Sequence, residues 1–89
     1  MFIYMLECQD NSYYTGQAKD LEKRMKDHGK KSKYTRAKGV KRLVYVEELP
    51  DKYAHKREAE IKRLERQQKD DLLTSTINQV AKFKHIIPS

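Results

Sequence analysis

The 89-residue sequence contains one cysteine, no tryptophan, two prolines and three glycines. A lone cysteine, Cys8, cannot form an internal disulfide, and it excludes a zinc site built on cysteines. No apolar run approaches the ~20 residues that a membrane helix needs. No secretory leader is recognisable either, so the expected location is cytoplasmic, with no membrane association. The phosphate-cradling G-x-x-x-x-G-K-[ST] loop, the zinc-protease H-E-x-x-H helix and the G-x-S-x-G nucleophile turn are all missing, which removes three large enzyme classes. No internal repeat or low-complexity tract is present.

Acids are in short supply as well: 13 against 20 lysines and arginines, for a formal charge of +7. Such a field attracts polyanions, and nucleic acid is the leading partner class. Apolar and charged residues each make up 37% of the chain, so the core must be thin. We expect one domain over residues 1–89, with its core at about 2–73 and a C-terminal helix and tail at 70–89, as a monomer or weak dimer.

Residues 2–8 (Phe-Ile-Tyr-Met-Leu-Glu-Cys) are rich in β-formers, and Tyr13 to Gly16 is a return strand across the turn Gln9-Asp10-Asn11-Ser12. Gly16 to Lys19 then leads into an amphipathic helix capped by Asp20 and ended at Gly29, with Leu21 and Met25 facing the core and Arg24 and His28 on the edge of that stripe. From Lys30 to Arg42 there are seven cations and no acid, with Tyr34 among them. A linker would have this composition, but single-sign charge around an aromatic fits a phosphate-tracking loop better. Leu43 to Leu49 is a third strand stopped by Pro50. Asp51 caps a long helix from Lys52 to Gln67, and a last helix from Asp70 onward carries Leu72, Leu73, Ile77, Val80 and Phe83. Glu58 falls on the stripe through Ala54, Ile61 and Leu64, where a carboxylate needs a cationic partner or a metal ion.

Tyr4 in Phe2-Ile3-Tyr4, Tyr14-Thr15-Gly16 ten residues on, Arg24 after another ten and Glu58 in Arg57-Glu58-Ala59 together resemble the GIY-YIG nuclease domain, and the small stand-alone members of that family in particular. The resemblance covers residues 2 to about 73. Phe2 replaces the glycine of the first motif and Thr15 the isoleucine of the second, while Gln17 stands where some repair members have a lysine, whose contact Lys19 would take over. The resemblance implies an α+β fold of order β-β-α-β-α-α, a small three-stranded antiparallel sheet flanked by helices, and metal-dependent hydrolysis of a phosphodiester bond. It also implies roles: Tyr14 as general base or water-positioning group, Arg24 and Tyr4 on the scissile phosphate, His28 as an auxiliary contact and Glu58 as the sole protein ligand of Mg2+ or Mn2+.

Elementary chemistry bears on these roles. A tyrosine with an ordinary pKa near 10 is only about 0.1% ionised at pH 7, so a tyrosine base needs a cation close by. Magnesium commonly takes one or two carboxylates and completes its shell with waters and phosphate, so one glutamate can suffice, with weak binding in the absence of nucleic acid. Arginine offers a planar fork to phosphate oxygens. The nucleic-acid surface is expected at Lys19, Lys30, Lys31, Lys33, Tyr34, Arg36 and Lys38.

Three functions follow. The first is a DNA endonuclease acting on branched or damaged sites, with RNA as a further substrate class and a protein partner supplying specificity. The second is a non-catalytic nucleic-acid-binding module of the same fold, and the third is a protein-interaction domain using its charged helix. The shared site also sets a geometric condition. Tyr4 and Tyr14 lie on one face only if paired residue numbers sum to an even value, which requires an odd loop or a bulge, with Asn11 left-handed.

Overall fold

The computed structural model describes residues 1–30 and 39–83, and for residues 27–30 the backbone alone. Strand β1 (Phe2–Cys8) is buried on both faces from Ile3 onward, the pattern of a strand flanked on each side and covered above and below. Its neighbours are β2 (Tyr13–Ala18) and β3 (Val40–Glu48), both antiparallel to it, in the order β2-β1-β3. Helices α1 (Leu21–Lys30), α2 (Asp51–Arg63) and α3 (Arg66–Leu73) and a 3-10 turn at Val80–Phe83 complete the α+β arrangement.

Alternation along β1 divides the interior into two cores. Ile3 and Met5 point to one face, where Tyr45 joins Ala54 and Ile61 of α2, with Leu72 and Leu73 of α3 alongside. Tyr4 and Leu6 point to the other, where Val46 meets Leu21 and Met25 of α1, with Val80 and Phe83 behind them. Leu43 and Val46 are three residues apart, yet both serve the second core. The register against β1 shifts between Met5 and Leu6, so that Met5 faces Tyr45 and Leu6 faces Leu43, and Val44 is the extra residue of a bulge.

The hairpin meets the parity condition. Tyr4 pairs with Gly16 and Leu6 with Tyr14, which puts both tyrosines on the α1 face. The loop is Gln9-Asp10-Asn11: Asn11 N–H donates to Cys8 O at 2.9 Å, Cys8 N–H donates to Ser12 O at 2.9 Å, and Asn11 has φ 68. This is the three-residue hairpin in which a type I turn is followed by a left-handed residue. Asp10 Oδ1 braces it by accepting from the Ser12 N–H at 3.0 Å and hydroxyl at 2.6 Å.

Several sequence-based expectations are corrected. The second strand does not end at Gly16; β2 runs on through Gln17 to Ala18, residues expected to lead into the helix. Asp20 caps α1 as expected, its Oδ1 accepting from the Lys23 N–H at 3.1 Å, but the helix continues past Gly29 to Lys30. Pro50, not Asp51, occupies the N-cap of α2 and makes no side-chain capping bond, with Asp51 the first helical residue. The long helix expected to reach Gln67 stops at Arg63, because Leu64 turns extended at ψ 144 and Glu65 starts a new helix. Gln68 Oε1 secures that start by accepting from the Glu65 N–H at 2.9 Å, a reciprocal spacing that resembles helix interior in sequence. The helix expected from Asp70 onward is α3 followed by an irregular segment and the 3-10 turn, where Asn78 is the organiser. Its Oδ1 accepts from the N–H groups of Val46 (3.1 Å) and Val80 (3.0 Å), and its Nδ2 donates to the carbonyls of Val44 (2.9 Å) and Leu73 (3.1 Å).

The hairpin is also tied to α3. The Tyr13 hydroxyl donates to Asp70 Oδ1 at 2.6 Å, Arg66 lies 3.9 Å over the Tyr13 ring and donates to the Asn11 carbonyl. Among the described residues no helix is long and apolar enough to cross a membrane.

Candidate active site

Three of the residues singled out in the sequence meet on the α1 face of the sheet. Tyr4, from the central strand, is fully buried, and its ring lies 6.4 Å from that of the half-buried Tyr14 at a tilt of 38°. Arg24, one turn into α1, directs Nε to the Tyr4 hydroxyl oxygen at 3.4 Å, the long end of hydrogen-bond range. Gly16 makes the meeting possible: a Cβ there would stand 2.6 Å from Tyr4 Oη, 2.7 Å from Tyr4 Cζ and 3.2 Å from Tyr14 Cε1. The small residue is needed because the two tyrosine rings crowd over the backbone at this point.

Glu58 comes from the opposite layer. Its α2 helix packs against the other face of the sheet, and it reaches the same strand at the next residue, where Gln17 Nε2 donates to Glu58 Oε1 at 2.7 Å. Lys62, one turn on, places Nζ 2.8 Å from the other carboxylate oxygen, Oε2. Gly16 and Gln17 point to opposite faces of β2, the edge strand, so the tyrosine and arginine group and the carboxylate face one another around the sheet's rim.

The electrostatics link the two halves. Burial pushes the Tyr4 phenol up to about 12; the hydrogen bond from Arg24 opposes this, and the charges on Tyr14 and Glu58 add to it. Tyr4 is therefore a neutral phenol at physiological pH. Arg24 is raised above its ordinary value chiefly by the bond to Tyr4, and Lys62 above its own by Glu58. Beside Arg24 lies a depression of about 270 Å³ lined by Gln17, Ala18, Lys19, Asp20, Lys23 and Arg24.

Lys19 thus borders the depression, with Nζ 3.6 Å from Asp51 Oδ2, both side chains exposed. The side chains of His28 and Lys30, and residues 31–38 with Lys31, Lys33, Tyr34, Arg36 and Lys38, lie outside the described residues. Sequence reasoning missed the contact from Gln17 to Glu58, and it allowed that carboxylate a cationic partner without naming Lys62. The i, i+4 spacing of Glu58 and Lys62 was the available signal for the second contact, whereas the first needed the tertiary fold.

The fit of a metal ion can be judged from the donor set. Among the described residues no three His, Cys, Asp or Glu side chains gather as a metal cluster. Among the described residues Glu58 is the carboxylate that acts on Tyr4, and the ammonium at its Oε2 shows that this oxygen accepts a cation. The donor set fits one hard divalent ion held through a single carboxylate, with water and phosphate oxygens supplying the rest.

Comparison with known proteins gives a consistent result. The model of the GIY-YIG catalytic domain matches residues 1–71. A UPF0213 protein of Halalkalibacterium halodurans is 43% identical over 76 residues, covering 82% of this chain and 81% of the relative. A UPF0213 protein of Clostridium perfringens is 47% identical over 77 residues, covering 83% of each. The solution NMR structure of a UPF0213 protein from Bacillus halodurans superposes with a TM-score of 0.57 at 35% identity, covering 96% of this chain and 94% of that one.

Proposed function

The chain belongs to the GIY-YIG family of nuclease-type domains, and from that premise we propose that it is a metal-dependent endonuclease hydrolysing phosphodiester bonds in DNA, at branched or damaged sites. The observation that carries the proposal is the packing of Tyr4 and Tyr14 over Gly16 with Arg24 on the Tyr4 hydroxyl, and Glu58 held at the next residue of the same strand. In this reading Tyr14, the more exposed of the two rings, takes the proton of the attacking water or orients it for in-line displacement. Arg24 binds the non-bridging phosphate oxygens, where a well-placed guanidinium contributes several kcal/mol as charge develops. Tyr4 is buried and neutral, so it acts on phosphate through Arg24, whose Nε it holds. Glu58 would hold Mg2+ or Mn2+, which supplies positive charge at the phosphate and the leaving oxygen. Lys19 and the basic residues 30–38 would follow the backbone away from the cut.

The test is cleavage of labelled branched and duplex DNA with magnesium, against chelator and against Tyr14→Phe and Glu58→Ala. Each substitution should lower the rate by about 10²–10⁴-fold. Equal traces of cleavage in every sample would mark contamination and end the enzyme reading. The second reading, a binding module that no longer cuts, has one observation on its side: Glu58 already holds a cation in Lys62. It predicts steeply salt-dependent DNA binding with no chelator-sensitive cleavage.

A further inference from the structure

We propose that Lys62 is a resident counter-cation that a divalent ion must displace from Glu58, so that metal binding is held back until nucleic acid arrives to take up the released ammonium. The inference rests on the reading of Glu58 as the metal's ligand.

Both oxygens of the Glu58 carboxylate are engaged, Oε1 by Gln17 at 2.7 Å and Oε2 by Lys62 at 2.8 Å. The Glu58 side chain is 15% exposed and that of Lys62 56% exposed. The pair differs from an ordinary surface helix pair such as Glu22 with Lys26, which stands at 3.9 Å with both partners well exposed. A short pair with one partner largely covered loses less to solvent and screening, and the competing cation sits on the very oxygen a metal would use.

The asymmetry of the two contacts defines what moves. Gln17 is a neutral amide on a strand and can stay on Oε1 while Oε2 changes partner, fixing the carboxylate's orientation throughout. Lys62 has a flexible four-carbon stem rooted in α2 and open to solvent, so its ammonium can leave through its own rotamers without moving the helix. A divalent ion entering the free protein would leave two cations crowded on a single carboxylate, and this repulsion weakens the metal. A phosphodiester backbone in the site supplies the missing negative charge, accepts the ammonium and relieves the crowding. Metal and nucleic acid then bind cooperatively, and by linkage each tightens the other by the same factor.

The experiment measures Mn2+ binding to the free protein by water-proton relaxation, with and without a duplex, in the native chain and in Lys62→Met, Lys62→Arg and Glu58→Gln. Lys62→Met keeps the stem and removes the charge, so Mn2+ affinity without DNA should rise about tenfold and the DNA-induced tightening should shrink by the same factor. Lys62→Arg should retain weak binding, and Glu58→Gln should abolish the bound-ion signal. If Glu58→Gln abolishes binding while Lys62→Met leaves it as weak as before, the counter-cation inference is wrong and the role of Glu58 stands. If Glu58→Gln leaves Mn2+ binding unchanged, both fail together.

Discussion

Gly16→Ala tests the most demanding contact in the site. Among the described residues only Gly39 of the glycines has positive φ, so Gly16 is not required for its backbone angles. In open space the alanine would stabilise a strand position by about 0.4–1 kcal/mol through the unfolded chain. Here its methyl would sit 2.6 Å from Tyr4 Oη and 2.7 Å from Tyr4 Cζ, inside any real carbon contact. Tyr4 is fully buried among Leu6, Leu21, Met25 and Val46 and has little room to retreat. Overpacking of this kind costs about 1–3 kcal/mol, and the centres of the two ranges leave a net loss of about 1.3 kcal/mol. Far-UV circular dichroism in urea reads it directly. In a Tyr4→Leu background the two offending atoms are gone, so the alanine should lose its penalty, with a coupling of about 1 kcal/mol or more in the double-mutant cycle. A neutral or stabilising Gly16→Ala in the native background would refute the claim that the glycine is kept for Tyr4.

Asn78→Ala leaves two N–H groups and two carbonyls without their side-chain partner and should cost about 2–4 kcal/mol, read as a lowered urea midpoint with unchanged slope. A loss below about 0.5 kcal/mol would mean that water replaces it. Alkaline pH should also destabilise the fold. Burial raises Tyr4 and Tyr45 to about 12, so between pH 10 and 12 the unfolded chain has released protons that the native state keeps. Stability is complete below pH 10 and falls as pH rises toward 12, by up to about 2–3 kcal/mol for each tyrosine. Urea midpoints between pH 9 and 11.5 give the slope, which Tyr45→Phe should flatten; a pH-independent midpoint across that range would contradict the burial argument.

Much of the fold was legible because strand propensity and turn chemistry are local. The β-forming run of β1, the left-handed Asn11 and the Asp20 cap need no tertiary information. The interruption at Leu64 was not legible, because Glu65 and Gln68 are good helix formers and become a capping box only once the chain turns. The third strand was recognised, but its bulge was not: nothing local tells Val44 from its neighbours, and the choice is made by which side chains β1 needs opposite Leu6 and Met5. Tyr4, Tyr14, Arg24 and Glu58 could be picked out by their resemblance to the GIY-YIG motifs. Their division between two sheet faces could not, since it depends on α2 leaning on the edge strand, and Gln17 acquires its role only there.

The three-residue loop Gln9–Asn11 has a consequence for how this chain can drift. Side chains alternate across β2, so the loop acts as a parity gate on insertions and deletions. Two added residues would lengthen the hairpin and leave Tyr14 on the face it shares with Leu6. One added residue, if the three-residue turn were kept, would slip the register, exchange the roles of Tyr14 and Thr15 and carry the hydroxyl into the α2 core. Relatives that keep both the three-residue turn and the paired tyrosines should therefore vary the hairpin in steps of two, a pattern that can be read from length alone.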